Sequence, residues 1–146
     1  MLPVTFTIDG KPYGQPRPRA VRRGNGVAFY DPKAAVEFKR RVRAAYLDAA
    51  GEHEPAPRDV AVCVRIVAVF KPPAKLCKAD RERLILDAAP CTMKPDCDNI
   101  AKAILDALTE LAYEDDAQVT YCLASKEYGA EPRTEVRVCL DAEAAW

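Results

Sequence analysis

Acidic and basic side chains recur with regular spacing between residues 94 and 116. Asp96 and Asp98 stand two residues apart, where an apolar pattern of helical period begins, and Lys102 follows Asp98 by four residues. Carboxylates in the first turn of a helix are stabilised by the helix dipole and by unpaired N–H groups, so we expect them to be ionised. Ionised aspartates beside a lysine suit a Mg²⁺ ion that handles phosphate, because Mg²⁺ takes one or two carboxylates and fills its other positions with water and substrate oxygens.

The helix that must position these groups is predicted over residues 99–112. Asp98, Lys102 and Asp106 recur every four residues and should share one stripe of it. The stripe predicted to be buried contains Ile100, Ile104, Leu108 and Leu111.

A second acidic pair, Asp115 and Asp116, follows this helix and leads into a strand pattern. A helix over residues 99–112 is about 20 Å long. The second pair can therefore join Asp96 and Asp98 only if the chain folds back. A purely structural role also explains each residue singly, since Asp is a common helix cap and an Asp–Lys pair at i, i+4 is a common surface pair.

The run from Lys94 to Lys102, followed by Asp106-Ala107-Leu108 and by the run from Asp115 to Val119, resembles the signature of the RusA-type Holliday junction resolvases. Looser similarity covers residues 14–19, 30–32 and 126–128. The resemblance implies a small Mg²⁺-dependent endonuclease, with Mn²⁺ able to substitute, that acts as a homodimer on four-way DNA junctions. A homodimer would match two active sites to the two-fold symmetry of the junction.

The resemblance also implies roles for individual residues. The metal ligands carry over to Asp96, Asp98 and Asp116, and the catalytic lysine carries over to Lys102. Asp106 and Asp115 are candidates to orient the ligands or Lys102. Two positions depart from the family pattern: Cys97 replaces an apolar residue such as Leu, and Glu110-Leu111 replaces a turn that often contains Gly, which predicts a longer helix.

A neutral net charge conceals a strong asymmetry along the chain. Residues 1–45 contain ten basic and three acidic residues, a net charge of +7, so residues 46–146 carry −7. A basic segment in a neutral protein suits a phosphate backbone, although a solvated charged surface would have the same composition. The predicted DNA-binding residues are Arg17, Arg19, Arg22, Arg23, Lys94 and Lys126.

The composition indicates one α/β domain over residues 1–146. The strand and helix patterns predict the order β-α-β-α-α-β-β and a mixed sheet, with a basic, flexible, irregular loop over residues 10–30. Residues 60–70 are apolar on both faces and predict a central strand. The last two strands are predicted to form a hairpin through residues 128–132. Asp31 is predicted to cap the first helix, and Leu76, Leu84 and Leu86 to anchor a charged helix over residues 75–88.

The six cysteines lack metal-site spacing, and neither a signal peptide nor an apolar run of membrane-spanning length is apparent. We therefore expect reduced, buried thiols in a cytoplasmic protein of bacterial or phage origin, with no membrane partner. Two other functions remain open: a Mg²⁺ nuclease for other branched DNA such as flaps or forks, and a non-catalytic DNA-binding protein. A nucleotide-hydrolysing enzyme is less favoured, since no G-x-x-x-x-G-K-[ST] loop is present.

Overall fold

The computed structural model describes residues 3–16, 19–30 and 32–140. The strands and helices in chain order are β1 (Val4–Asp9), β2 (Arg19–Arg23), β3 (Gly26–Tyr30), α1 (Lys33–Ala50), β4 (Val62–Phe70), α2 (Lys78–Leu86), α3 (Cys97–Leu108), β5 (Val119–Tyr128) and β6 (Arg133–Cys139). A 3₁₀ turn over Asp116–Gln118 leads directly into β5. The predicted cap Asp31 lies outside the described residues.

Four strands form one mixed sheet in the order β1-β6-β4-β5. β4 pairs in parallel with β5 and antiparallel with β6, so it occupies the interior of the sheet. Its apolar residues explain that position, since a strand that can bury side chains on both faces suits the middle of a sheet. The predicted α/β fold with a mixed sheet and a central strand over these residues is confirmed.

The core lies between this sheet and two helices. Every second residue of β4 from Val62 to Phe70 is buried on the face toward the helices. α1 contributes Ala35, Phe38, Val42 and Tyr46, and α3 contributes Ile100, Ala103, Ile104, Ala107 and Leu108. Both sets follow the three- and four-residue spacing of an apolar helix face. The packing leaves the opposite stripe of α3 available for polar chemistry.

The predicted hairpin between the last two strands is wrong, because β4 lies between β5 and β6. The short connection passes the end of β4, where the Gly129 N–H donates to the Phe70 carbonyl at 2.9 Å. A Cβ at residue 129 would lie only 2.4 Å from a methyl carbon of Val69, so this close passage requires glycine. β5 and β6 are consecutive in the sequence, but β4, the most apolar strand of the sheet, lies between them.

Four smaller expectations also fail. Residues 19–30 of the predicted irregular loop form the antiparallel β2–β3 hairpin. α3 ends at Leu108 rather than continuing to Ala112, and Glu110 adopts a left-handed φ of 63°. Leu86 does not anchor α2, because it is 86% exposed, whereas Leu84 packs against the core.

The cysteines are not all buried as expected. Cys63, Cys91 and Cys139 are buried, whereas Cys77 and Cys122 are exposed.

Candidate active site

Asp96 and Asp98 begin α3 and both are exposed to solvent. Asp96 occupies the N-cap position with extended φ and ψ angles, yet its side chain makes no capping hydrogen bond. A capping aspartate normally accepts a bond from the N–H two or three residues later. Helix capping therefore does not explain the carboxylate of Asp96, which stays available to a ligand.

The segment before Asp96 is fastened to the edge strand β5. The Cys91 N–H donates to the Lys126 carbonyl at 3.1 Å, and the Tyr128 N–H donates to the Ala89 carbonyl at 2.9 Å. These bonds extend the sheet by a short stretch of backbone that leads into the acidic residues.

The side chain of Lys126 also points into this segment. Its half-buried ammonium donates to the carbonyl of Met93 and to that of Pro95 at 3.0 Å, and it lies 5.7 Å from the centre of the Phe70 ring. Two hydrogen bonds and a cation–π contact account for the ammonium, since it has three donors. Binding DNA through Lys126 stays a prediction that would require these contacts to be exchanged.

The polar stripe of α3 continues from Asp98 through Lys102 to Asp106. Lys102 is exposed and Asp106 is half-buried. The far end of α3 is closed by Arg43, whose Nη1 donates to the carbonyls of Ala107 at 3.0 Å and Thr109 at 3.2 Å. A cation at a helix C-terminus binds the unpaired carbonyls and complements the dipole. Arg43 therefore joins α1 to α3.

Asp115 and Asp116 lie in a turn held by a capping box. Asp115 accepts the Ala117 N–H at 2.9 Å, and its own N–H donates to the side chain of Gln118 at 2.9 Å. The bond to Ala117 holds the pKa of Asp115 below its ordinary value, helped by a hydrogen bond with Asp116 and by the charge of Arg58. Asp115 therefore has a clear structural role, which leaves Asp116 as the exposed acid of the pair.

Gln118 fixes this turn to the body of the protein. Its buried amide nitrogen lies within hydrogen-bond distance of the carbonyls of Ala56 at 3.1 Å, Pro57 at 2.6 Å and Val60 at 3.0 Å. The sequence predictions do not include Gln118. Its role could have been predicted, since Asp115 and Gln118 have the three-residue spacing of a capping box.

The two acidic groups occupy opposite ends of α3. Asp106 and Asp116 line one groove of about 470 Å³, together with the basic residues Lys39 and Arg58. The charges of Asp116 and Asp106 also reinforce the effect of burial in raising the pKa of Tyr113. Within the described ranges, no three His, Cys, Asp or Glu residues are grouped closely enough to hold a metal ion.

The structure therefore places Asp96 and Asp98 at the start of α3, and Asp106 and Asp116 along one groove at its other end. The two pairs do not form one site. The chemistry of the first pair fits Mg²⁺, because both side chains offer exposed hard oxygen donors and Mg²⁺ needs only one or two carboxylates. A third ligand from Asp116 stays a prediction.

A cavity of about 540 Å³ opens beside Asp96. Its walls are the segment from Lys11 to Pro16 on one side and Lys94, Pro95 and Asn99 on the other. In the sequence, only residues 14–19 of this region resembled the family pattern. Neither Lys11 nor Tyr13 was expected at the site. Lys94, a predicted DNA contact, is exposed and lines this cavity.

Three other predicted DNA-binding residues belong to β2. Arg22 and Arg23 are exposed on β2, and Arg19 begins that strand. Arg17 lies outside the described residues. DNA contact by all four stays a prediction. In the part of the chain that the structure describes, no helix is long and apolar enough to cross a membrane.

Comparison with known proteins agrees with the residue pattern. Residues 9–139 match the family model described as "Endodeoxyribonuclease RusA". The chain is also 35% identical over 138 residues to "Uncharacterized protein YqaN" of Bacillus subtilis (strain 168), a match that covers 92% of this chain and 94% of the relative. The family match includes every predicted site residue and every described strand and helix except β1, of which it contains only Asp9.

Proposed function

Because this chain belongs to the RusA family of endodeoxyribonucleases, we propose that it resolves four-way DNA junctions by Mg²⁺-dependent hydrolysis of phosphodiesters in paired, symmetric cuts. The observation that carries the proposal is the carboxylate of Asp96, which sits at the N-cap of α3 without a capping bond and beside Asp98. A protein that used these acids only for structure would have no need to leave that carboxylate unbonded at the start of the helix.

Asp96 and Asp98 would hold the metal ion, with Asp116 as the proposed third ligand. When bound, Mg²⁺ supplies Lewis-acid activation of the scissile phosphate and of the attacking water. Lys102 lies one helical turn beyond Asp98, about 6 Å along the axis of α3. Its compact ammonium would stabilise the negative charge that develops on phosphate oxygens in the transition state.

The basic surface would guide the DNA backbone to these acids. Arg22 and Arg23 are exposed and separate in sequence from the proposed ligands, so they would attract phosphates without neutralising those carboxylates. Lys94 is also exposed and would bind phosphate close to Asp96. A homodimer would supply two such sites, which paired cutting of a two-fold symmetric junction requires. A nuclease for flaps or forks would use the same residues and differs only in substrate.

The test is cleavage of a synthetic four-way junction, a flap and a linear duplex of matched sequence, each with and without Mg²⁺. We expect paired cuts in the junction that depend on Mg²⁺. Equal cutting of all three substrates would remove the junction from the proposal, and tight binding with no cutting would favour a non-catalytic DNA-binding protein.

A substitution of Asp96 tests whether this residue belongs to the active site. Asp96→Asn should abolish cleavage and keep or tighten junction binding, because it removes a negative charge near phosphate. Asp80→Asn is the matched control, since Asp80 also lies in the first turn of a helix, α2, and far along the sequence from the acidic motif. Equal effects of the two substitutions would contradict the assignment of Asp96.

A further inference from the structure

The cavity beside Asp96 has the size and lining of a ligand site. Its volume of about 540 Å³ lies within the 300–1,000 Å³ typical of small-molecule sites. Asp96 forms part of its wall, so a group bound there would lie next to a predicted catalytic carboxylate.

The two walls of the cavity are joined before any ligand arrives. The Gln15 N–H donates to the Asn99 carbonyl in the first turn of α3 at 2.9 Å. A Cβ at residue 14 would lie 2.5 Å from the Cβ of Pro95, so only glycine permits this close approach. The cavity is therefore a built feature rather than a gap between loose segments.

The lining combines three kinds of group. Flat apolar surface comes from Pro12, Pro16 and Pro95 and from the ring of Tyr13, which stacks on Phe38 with centroids 4.8 Å apart. Polar amides come from the half-buried Gln15 and Asn99. Positive charge comes from Lys11 and Lys94.

Both lysines are exposed, and neither forms an ion pair with another described residue. Two unpaired ammonium groups on either side of one cavity suit an anion. Amide groups suit the hydrogen-bonding edge of a nucleobase, and flat apolar surface suits its face. An anionic group attached to a planar, polar-edged ring describes a nucleotide.

We infer that this cavity holds one nucleotide of the DNA substrate, next to the phosphate that is cut, with its base unstacked from the neighbouring bases. The inference rests on the proposed function and extends it to a specificity site. A cavity that holds one nucleotide should make the identity or presence of the base matter at one position beside the cut and little at the others.

The experiment is an abasic scan of the junction. One base at a time is removed on either side of the cut, and both cleavage rate and binding by fluorescence anisotropy are measured. We expect one abasic position to lower cleavage by roughly tenfold or more, since stacking of a single base on a protein surface commonly has an effect of that size. Penalties of equal size at all positions, or none at any, in both cleavage and binding would overturn the inference.

Variants connect the sensitive position to the cavity. Gln15→Ala should reduce the difference between intact and abasic DNA at that position, as expected for partners in a double-mutant cycle. Lys11→Gln should instead weaken the binding of intact and abasic DNA equally, because an abasic site keeps its phosphate. Lys75→Gln is the control, because Lys75 is exposed and does not line the cavity. An unchanged abasic penalty in Gln15→Ala would place the sensitive base elsewhere.

The binding measurement makes failure of this inference distinguishable from failure of the proposed function. A position-dependent abasic effect on binding, without cleavage of any junction, would support the cavity and contradict the resolvase proposal. Cleavage of intact and abasic junctions at one rate would support the resolvase proposal and contradict the cavity.

Discussion

Replacing Lys126 by Met tests whether this lysine holds the acidic loop or binds DNA. Met preserves the length and apolar stem but removes the ammonium that donates to the carbonyls of Met93 and Pro95. A hydrogen bond from a charged donor contributes about 1.5–3 kcal/mol, and the contact with the Phe70 ring about 0.5–1 kcal/mol more. Since Lys126 is half-buried and water can reach part of the freed site, we expect the free energy of unfolding to fall by about 2–4 kcal/mol.

The same substitution should uncouple cleavage from binding. Pro95 directly precedes Asp96, and a displacement of a catalytic group by about 1 Å can lower a rate roughly 100-fold. We therefore expect a loss of at least about tenfold in the maximal cleavage rate, with junction affinity and its salt dependence unchanged. Lys126→Arg, which keeps a cationic donor, should recover part of the rate.

The assays are urea denaturation, single-turnover junction cleavage and junction binding across a salt series. Lys71→Met is the control, because Lys71 is an exposed lysine at the end of the neighbouring strand β4. Weaker junction binding with a shallower salt slope, at unchanged stability and maximal rate, would refute the positioning role. That result would show a phosphate contact, as the sequence suggested.

Three further substitutions test the supports of the site. Gln118→Ala should lower the free energy of unfolding by about 2–4 kcal/mol in denaturation assays, because the carbonyls of Ala56, Pro57 and Val60 lose the two N–H donors that they share. An unchanged midpoint would contradict the role of Gln118. Glu110→Gly should raise stability by about 0.5–1 kcal/mol, since a φ of 63° strains any residue with a Cβ, and Glu110→Ala, which retains the Cβ, is the control. Asp115, whose folded-state pKa is lowered chiefly by the Ala117 N–H, should stabilise the protein fully above about pH 4 and lose that contribution as pH falls through its folded pKa. The stability difference between wild type and Asp115→Asn should therefore shrink below about pH 4, and a difference independent of pH would contradict this account.

Local patterns in the sequence predict the elements of this site well. The stripe of α3 follows from residues three and four apart, and the interior position of β4 follows from its apolar residues on both faces. The β2–β3 hairpin could also have been predicted, because Gly24-Asn25 is a two-residue turn sequence and Gly24 has the positive φ of 57° that such turns require. The prolines and glycines that recur between residues 10 and 26 favoured an irregular loop instead.

Pairings between distant segments could not be predicted in the same way. Nothing within residues 119–139 indicates that β4 separates β5 from β6, since strand order depends on which strand buries the most surface. The target of Lys126 is equally nonlocal, because a lysine in an alternating strand is consistent with a solvent contact, a phosphate contact or a backbone anchor. Burial and the facing carbonyls decide between them, and both are properties of the fold.

Whether Asp116 can share a metal ion with Asp96 and Asp98 depends on the distance between the two ends of α3. α3 contains 12 residues, a length of about 18 Å. Asp96 and Asp98 lie at its start, whereas Asp116 lines a groove with Asp106 from its last turns. One shared ion therefore requires the turn that contains Asp115 and Asp116 to approach the start of α3 when metal or DNA binds.

Mn²⁺ binding to the protein without DNA, measured by electron paramagnetic resonance and calorimetry, distinguishes one ion shared by all three acids from an ion held without Asp116. If the three acids share an ion, Asp96→Asn and Asp116→Asn should each weaken Mn²⁺ binding by a similar factor, and the double variant should add little. Asp59→Asn is the control, since it is an exposed acid outside both groups. If Asp116→Asn leaves Mn²⁺ affinity unchanged while Asp96→Asn lowers it, Asp116 is not a ligand in the free protein. An added loss of cleavage in that variant would then place the role of Asp116 after DNA binding.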